Sequence, residues 1–380
     1  MRGFHRQLAF GVGLAAALPL GAQGLAITTP QASLKFGFLF QPQYQALESP
    51  TLNGTTQDLY MRRMRIYMLG NIGKDWSFWI DTDSPNMGKS NPDGSRVNMS
   101  PNGNLVLQDA YVTYRITDDL HLDAGLTIMP LAHQTNQGAT SLFSVDYGSY
   151  DFLQNGGLSN NTIRDTGVLL RGLAWNHLDY RFGIAQGKRN AEVTNAPDPA
   201  NNHVPSNNPM RVAGRLQYNF FDAEATANAY YAGTYFGTKR ILSVGVGHDQ
   251  QDSYKATAFD VFFDWPVANN DSVTFQADHW NWDGGTWLPT LTKRQTLFSE
   301  GGYRFGATNL EPFLRYEYQH PDVATAAADK EDRFGGGLIW WINGHTSNLK
   351  VQYLRVQPSA PGQTWKDYNQ VNIQFQFFYL

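Results

Sequence analysis

Cysteine is absent from all 380 residues, which rules out a disulfide framework and thiolate chemistry. Charge is sparse: only 16% of residues are Asp, Glu, Lys or Arg, the formal net charge is −4, and the mean hydropathy is −0.42. The bases are spread along the chain rather than gathered in a patch, so nucleic-acid binding is not expected. No later segment holds 18 consecutive apolar residues, which excludes a helical membrane span, and none keeps an apolar repeat of helical period. The nine histidines form no H-E-x-x-H pair, and there is no G-x-S-x-G, so no catalytic residue, metal or cofactor is expected. "DTDSPN" (81–86) opens like a calcium loop, but Pro85 stands where a ligand belongs and no glycine follows.

What the chain does have is glycine (36), phenylalanine (23), tyrosine (19) and tryptophan (10). It also has an export signature. "MRGFHR" is short and basic, "QLAFGVGLAAALPL" is an apolar core too short to span a bilayer, and "GAQG" offers small residues for cleavage. Residues 1–22 read as a signal peptide with cleavage after Ala22 (Ala26 is the alternative), leaving 23–380 as the mature domain. Loss of Arg2 and Arg6 would take the net charge from −4 to −6.

Apolar and polar residues alternate almost everywhere in the mature chain. In "YNQVNIQFQFFYL" (368–380), Val371, Ile373, Phe375, Phe377 and Tyr379 share one parity, and Gln370, Asn372, Gln374 and Gln376 the other. Successive strand side chains point to opposite faces, so each such segment has one apolar and one polar face. The pattern predicts sixteen strands, from 32–44 to 367–379. Short connections ("GKD" at 73–75, "TDD" at 117–119) alternate with long polar ones (84–104, 129–164, 187–210). An up-and-down barrel in an outer membrane requires that alternation. In a closed barrel the last strand pairs with the first, which explains a chain ending inside a strand. Two features fit less well: strand 76–83 is short for a crossing, and "FFDAEATANAYYAGTYFGT" (220–238) is long where a short turn belongs. Trp76, Tyr114, Tyr218 and Trp265 lie on the apolar parity beside short turns, as an interfacial aromatic girdle would.

The segments "RRMRIYMLGNIGKDWSFWIDTD" (62–83), "VLQDAYVTYRITDDLHLDAGL" (106–126), "RDTGVLLRG" (164–172) and "GTYFGTKRILSVGVGHDQQ" (233–251) resemble the phosphate-selective porin O and P family. The resemblance implies a sixteen-stranded, usually trimeric outer-membrane porin whose third loop, here 129–164, folds into the lumen. In that family phosphate selectivity goes with dense arrays of arginine and lysine. Outer-membrane barrels of this kind end in a terminal aromatic. Here the alternating aromatics stop at Tyr379, one residue before Leu380.

The polar parity assigns Lys35, Arg63, Arg65, Arg115, Arg171, Arg181, Arg215, Arg304, Arg315, Arg333 and Lys350 to the pore wall. A guanidinium facing lipid at the midplane would cost about 2–4 kcal/mol, which favours the lumen for each. The same parity carries Asp81, Asp109, Asp123, Asp179, Asp260, Asp264, Asp278, Glu311 and Glu317, so bases and acids nearly balance, and pairing across the barrel is the alternative to an exposed basic wall. In the third loop Asp146, Tyr147, Tyr150 and Asp151 are candidates for a constriction, with Leu142, Phe143, Phe152 and Leu153 packing it on the wall. The expected function is passive passage of small hydrophilic solutes or ions across the bacterial outer membrane, with a phosphate-like anion preference as one option. Two alternatives stand beside it: a barrel sheathing a multihaem electron-transfer partner, and a barrel enzyme. The long third loop speaks against the sheath, and the lack of a nucleophile and base pair against the enzyme.

Overall fold

A computed structural model describes residues 25–380 except 92–94, 100–103, 152–157, 159–162, 190–192, 195–202, 205–207, 225–228, 324–329 and 363; the expected signal peptide at 1–22 lies outside the described residues. Sixteen antiparallel strands form the wall. They are β1 (Ala32–Glu48), β2 (Thr55–Ile72), β3 (Trp76–Asp83), β4 (Val106–Thr117), β5 (Leu120–Ile128), β6 (Arg164–Ala174), β7 (Leu178–Ala185) and β8 (Arg211–Asn219), followed by β9 (Ile241–Gln251), β10 (Tyr254–Pro266), β11 (Ser272–Asp283), β12 (Arg294–Arg304), β13 (Leu310–Pro321), β14 (Lys330–His345), β15 (Ser347–Ser359) and β16 (Tyr368–Tyr379).

Each strand pairs with its neighbours in sequence, and β16 closes on β1 with Gln370 opposite Leu47 and Tyr379 opposite Phe38. Closure satisfies both edges of the last strand, the condition for β structure in lipid. The period-2 pattern sorts side chains as the sequence implies: Phe375 and Phe377 face out, while Asn372, Gln374 and Gln376 are buried inside. Trp76 and Tyr114 pack in a tilted pair at 4.7 Å on the outer face beside the short turns, and Trp265 lies flat on Phe263. The short strand β3 leaves no gap. Beyond Asp83 the chain keeps pairing with β2 through Ser84 N–H to the Met64 carbonyl, Asn86 N–H to Arg62, and Met61 N–H to Met87.

The lumen is filled by two segments. The third long connection, from Met129 to Ile163, turns inward, and its described part is buried through Met129–Gln137 and again at Leu142–Val145. The unusual connection after β8 is the second. It leaves the short-turn end and runs up inside the barrel, where Ala229 and Tyr231 are buried. Its backbone bonds to the third loop at Tyr231 N to Asn136 O (2.9 Å), Gly138 N to Tyr231 O (3.0 Å) and Gly233 N to Ser141 O (2.8 Å). The segment that is too long for the short turn belonging there is an inward plug.

Candidate functional site

Wall side chains fasten both plugs. Arg315 donates to Ser144 Oγ (2.6 Å), the Asp146 carbonyl (2.7 Å) and the Tyr147 carbonyl (2.6 Å); Glu317 Oε1 accepts from its Nε at 2.6 Å. Lys350 donates to the carbonyls of Leu142 (2.7 Å) and Ser144 (2.9 Å). Gln376 donates to Thr140 O (2.7 Å) and Gln41 to Ala139 O (3.2 Å), so the amide face of the terminal strand also holds the loop. Gly247 faces inward with the Leu131 carbonyl where a side chain would stand, which lets the loop lie flat on β9. The second plug is held by Asp264, which accepts from Tyr235 N (2.9 Å), Gly237 N (2.8 Å) and Thr234 Oγ1 (2.9 Å). His133 of the third loop meets Glu224 of the plug at 2.7 Å and stacks between Tyr231 and Phe262.

The bases expected on the wall therefore divide. Arg171 pairs with Asp123 (2.8 Å), Arg181 with Asp179 (2.9 Å), and Arg215 with Asp260; all three are buried, and Arg181 and Arg215 also touch the second plug at the Ala229 carbonyl (2.6 Å) and the Tyr231 hydroxyl (3.4 Å). Arg304 binds the Phe236 and Asn270 carbonyls (3.0 and 2.8 Å) near the short-turn end. Lys35 is exposed at that end of β1, and Arg115 sits beside the turn on Asp118 (3.1 Å) and Asp75 (3.5 Å). Lys35 and Arg115 therefore sit at the mouth, Arg181, Arg215, Arg304 and Lys350 hold the plugs, and Arg171 is engaged by Asp123 on the wall. Of the eleven, Arg63, Arg65, Arg315 and Arg333 line open space.

That space is a cavity of about 660 Å³ on the long-loop side, walled by β1–β4 and β13–β16. Its bases are Arg62, Arg63, Arg65, Lys89, Arg315 and Arg333, and its acids are Asp83 and Asp146. Arg62 reaches it through a β-bulge: Gln41 faces Arg63 but Pro42 faces Met61, leaving Arg62 as the extra residue. The bulge shifts the parity of β2. Asp58 and Tyr60 point inward above it, and Arg63, Arg65 and Tyr67 below it. Parity reasoning missed Arg62; the one sequence signal was Pro42, since proline inside a wall strand marks such an irregularity.

The four loop candidates also divide. Asp146 binds Arg62 Nε (2.6 Å) and Arg63 Nη2 (2.5 Å) at the edge of the cavity, and Tyr147 beside it donates to the Gln137 carbonyl (2.8 Å). The acid is thus neutralised by two guanidiniums rather than presented to solutes. Tyr150 and Asp151 instead turn to the wall. The Tyr150 hydroxyl donates to Glu331 and accepts from Arg333 Nε (2.8 Å), and Asp151 accepts from Thr296 Oγ1 (2.5 Å). Leu142 and Phe143 are buried on the wall as expected, while Phe152 and Leu153 lie outside the described residues.

A second cavity of about 230 Å³ lies further in, lined by Tyr67, Trp79, Asp81, Asp109, Tyr230 and Tyr235. Arg65 lines both cavities, held by Asp83 (3.0 Å) and Asp81 (3.5 Å). Both cavities therefore lie along one side of the barrel, with the Arg65 guanidinium between them.

The sequence profile of the family described as phosphate-selective porin O and P matches residues 34–155. That stretch contains the segments 62–83 and 106–126. No curated protein matches the sequence. Among solved structures the barrel is similar to an anion-selective porin from Comamonas acidovorans, with TM-score 0.58 and 11% identity over 92% of this chain and all of that one. It is also similar to the outer membrane channel DcaP of Acinetobacter baumannii (TM-score 0.55, 14% identity, 94% of this chain and 100% of that one). A third likeness is to a loop-L8 deletion mutant of OmpT, an outer membrane protein of Vibrio cholerae (TM-score 0.55, 10% identity, 92% and 100%). At such identities the likeness is one of fold. With the family match and the closed sixteen-stranded wall, it makes this chain an outer-membrane β-barrel of the porin type.

Proposed function

We propose that this porin-type barrel is a passive channel for small hydrophilic solutes that favours anions and works as a homotrimer. The observation that carries the anion preference is the outer cavity, where six bases face two acids. Low-dielectric walls lined by one sign of charge focus the field and raise the local concentration of the opposite ion. The preference is moderate rather than absolute, because Glu317 and Glu331 neutralise much of Arg315 and Arg333. Porin fold and family point to a channel rather than an enzyme, and two plugs in the lumen leave no bore for a sheathed protein partner. Support for the trimer comes from the outer face, where Leu314 is 75% exposed beside a hollow floored by Ser299 and Gly301. That relief suits interlocking with a second barrel.

The test is the reversal potential of the purified protein in a planar bilayer under a potassium chloride gradient. Its sign should report chloride passing more readily than potassium. Arg62→Ala combined with Arg63→Ala leaves Asp146 without a cationic partner, only the Tyr147 N–H (3.0 Å), and should move the potential to the cation side. A wild-type potential already on the cation side would overturn the anion reading. Native mass spectrometry in detergent reads the oligomer, and a monomer there would remove the trimer.

A further inference from the structure

The outer cavity has more than charge. Six carboxamides from the wall line it: Gln43 and Gln45 of β1, Gln108 of β4, Gln352 of β15, and Gln370 and Asn372 of β16. Most of this ladder is internally bonded. Asn372 Oδ1 accepts from Gln43 (3.2 Å) and Gln45 (3.0 Å), and Gln374 donates to Gln43 Oε1 (2.8 Å). Gln352 breaks the pattern. It is only 2% exposed, it lines the cavity, and its Nε2 has no partner. A buried amide donor left unmade costs on the order of 1–3 kcal/mol, so a site that keeps one open is organised for an acceptor arriving from outside.

Two cationic groups share the opening. Arg62 uses Nε on Asp146, and among the described residues its two Nη atoms donate to nothing. Lys89 lies over the Tyr60 ring at 5.1 Å and makes no ion pair among the described residues. The other bases of the cavity are engaged: Arg63 by Asp146, Arg65 by Asp83, Arg315 by Glu317 and Arg333 by Glu331. Free donors facing the cavity therefore include the two Nη groups of Arg62, the Lys89 ammonium and the Gln352 amide. Inorganic phosphate, compact and doubly charged, is matched by converging unpaired guanidiniums. A hydroxyl both donates and accepts, as a carboxamide does. A volume of about 660 Å³ also lies in the range of sites for organic ligands and far exceeds one phosphate.

We infer that the outer cavity binds a small organic anion bearing several hydroxyl groups, of the sugar-acid class, with its carboxylate on Arg62 and Lys89 and its hydroxyls on Gln352 and Asn372. This rests on the anion-channel reading above and names the solute that the channel selects. The experiment is a titration of single-channel chloride current with D-gluconate on the long-loop side, beside hexanoate and inorganic phosphate. Hexanoate has the same charge and carbon count but no hydroxyl. Gluconate should reduce the current saturably, hexanoate should leave it unchanged at equal concentration, and phosphate should act about tenfold more weakly. Gln352→Met keeps the chain length, removes the amide, and should raise the half-blocking gluconate concentration about fivefold. Lys89→Met, outside the wall strands and so without bearing on barrel folding, should raise it as well. Equal block by gluconate and hexanoate would overturn the inference in favour of charge alone. Stronger block by phosphate would overturn it in favour of a phosphate site. A wild-type reversal potential on the anion side with no saturable gluconate block would sink the inference and leave the channel reading standing, whereas a potential on the cation side removes the reading beneath it.

Discussion

Asp146 and Asp151 sit close together on the third loop and hold opposite protonation states. Burial alone would raise Asp146, but the charges and hydrogen bonds of Arg62 and Arg63 outweigh it and hold the carboxyl well below the usual range. Burial, with the nearby charge of Glu317, outweighs what the Thr296 hydroxyl and the more distant Arg315 give back at Asp151, and pushes it up to about 8. At neutral pH the folded protein therefore keeps a proton on Asp151 that an unfolded chain releases near pH 4. The sign follows from linkage: this group's contribution to loop docking is full below about pH 4 and declines as pH rises towards 8. Open-channel current noise should accordingly be greater at pH 9 than at pH 5, and Asp151→Asn should remove most of the difference; equal noise in the wild type at both values would refute it. At this scale the sequence was only partly legible. Strand parity placed Arg63 and Arg65 inside correctly, because the apolar neighbours Met64 and Ile66 fix which face meets lipid. It could not place Arg62, since a one-residue bulge reverses parity above it. Nor could parity show which arginines keep open space before them, because that depends on which wall positions the plugs cover.

The element that departs most from the pattern is the inward segment between β8 and β9. Its strand-like tyrosines and glycines have no consistent period, because their partners are the third loop and the wall rather than a neighbouring strand. By contrast the strands were legible to within a few residues, since each must show lipid an apolar face and the lumen a polar one. The wall ladder does not depend on the plug: β8 and β9 pair from Val212 opposite Gln250 to Asn219 opposite Ser243, with Asp222 N–H still bonding the Arg240 carbonyl. Replacing residues 224–238 by Asn-Gly, a two-residue connection between Ala223 and Lys239, should therefore leave a folded, heat-modifiable barrel. It removes Tyr230, Tyr231 and Tyr235 from the inner cavity, along with Glu224 that holds His133. Single-channel conductance should rise several-fold and anion preference persist, since the bases of the outer cavity are untouched. An unchanged conductance would mean that ions do not pass beside this segment.

For the whole molecule the decisive contact is the seam that joins its two ends. Phe377, Phe378 and Tyr379 pair with Phe40, Leu39 and Phe38, and outside the barrel Phe38 packs against Phe377 at 5.8 Å and Tyr379 at 5.6 Å. Removing residues 376–380 would strip β1 of its partner over the inner-leaflet half of the seam. Backbone groups left unpaired in lipid cost several kcal/mol each, and the loss is not confined to one strand because closure supports every ladder in turn. The loop anchor from Gln376 to the Thr140 carbonyl goes with them. The truncated chain, refolded from urea into lipid vesicles, should therefore fail to give the compact band that migrates differently before and after boiling. Refolding in vitro matters to the argument, because no assembly machinery is present to read a terminal aromatic. Failure there assigns the role of these residues to closing the barrel. A normally folded truncated barrel would instead mean that the seam closes without them and that the final aromatics serve only to be recognised.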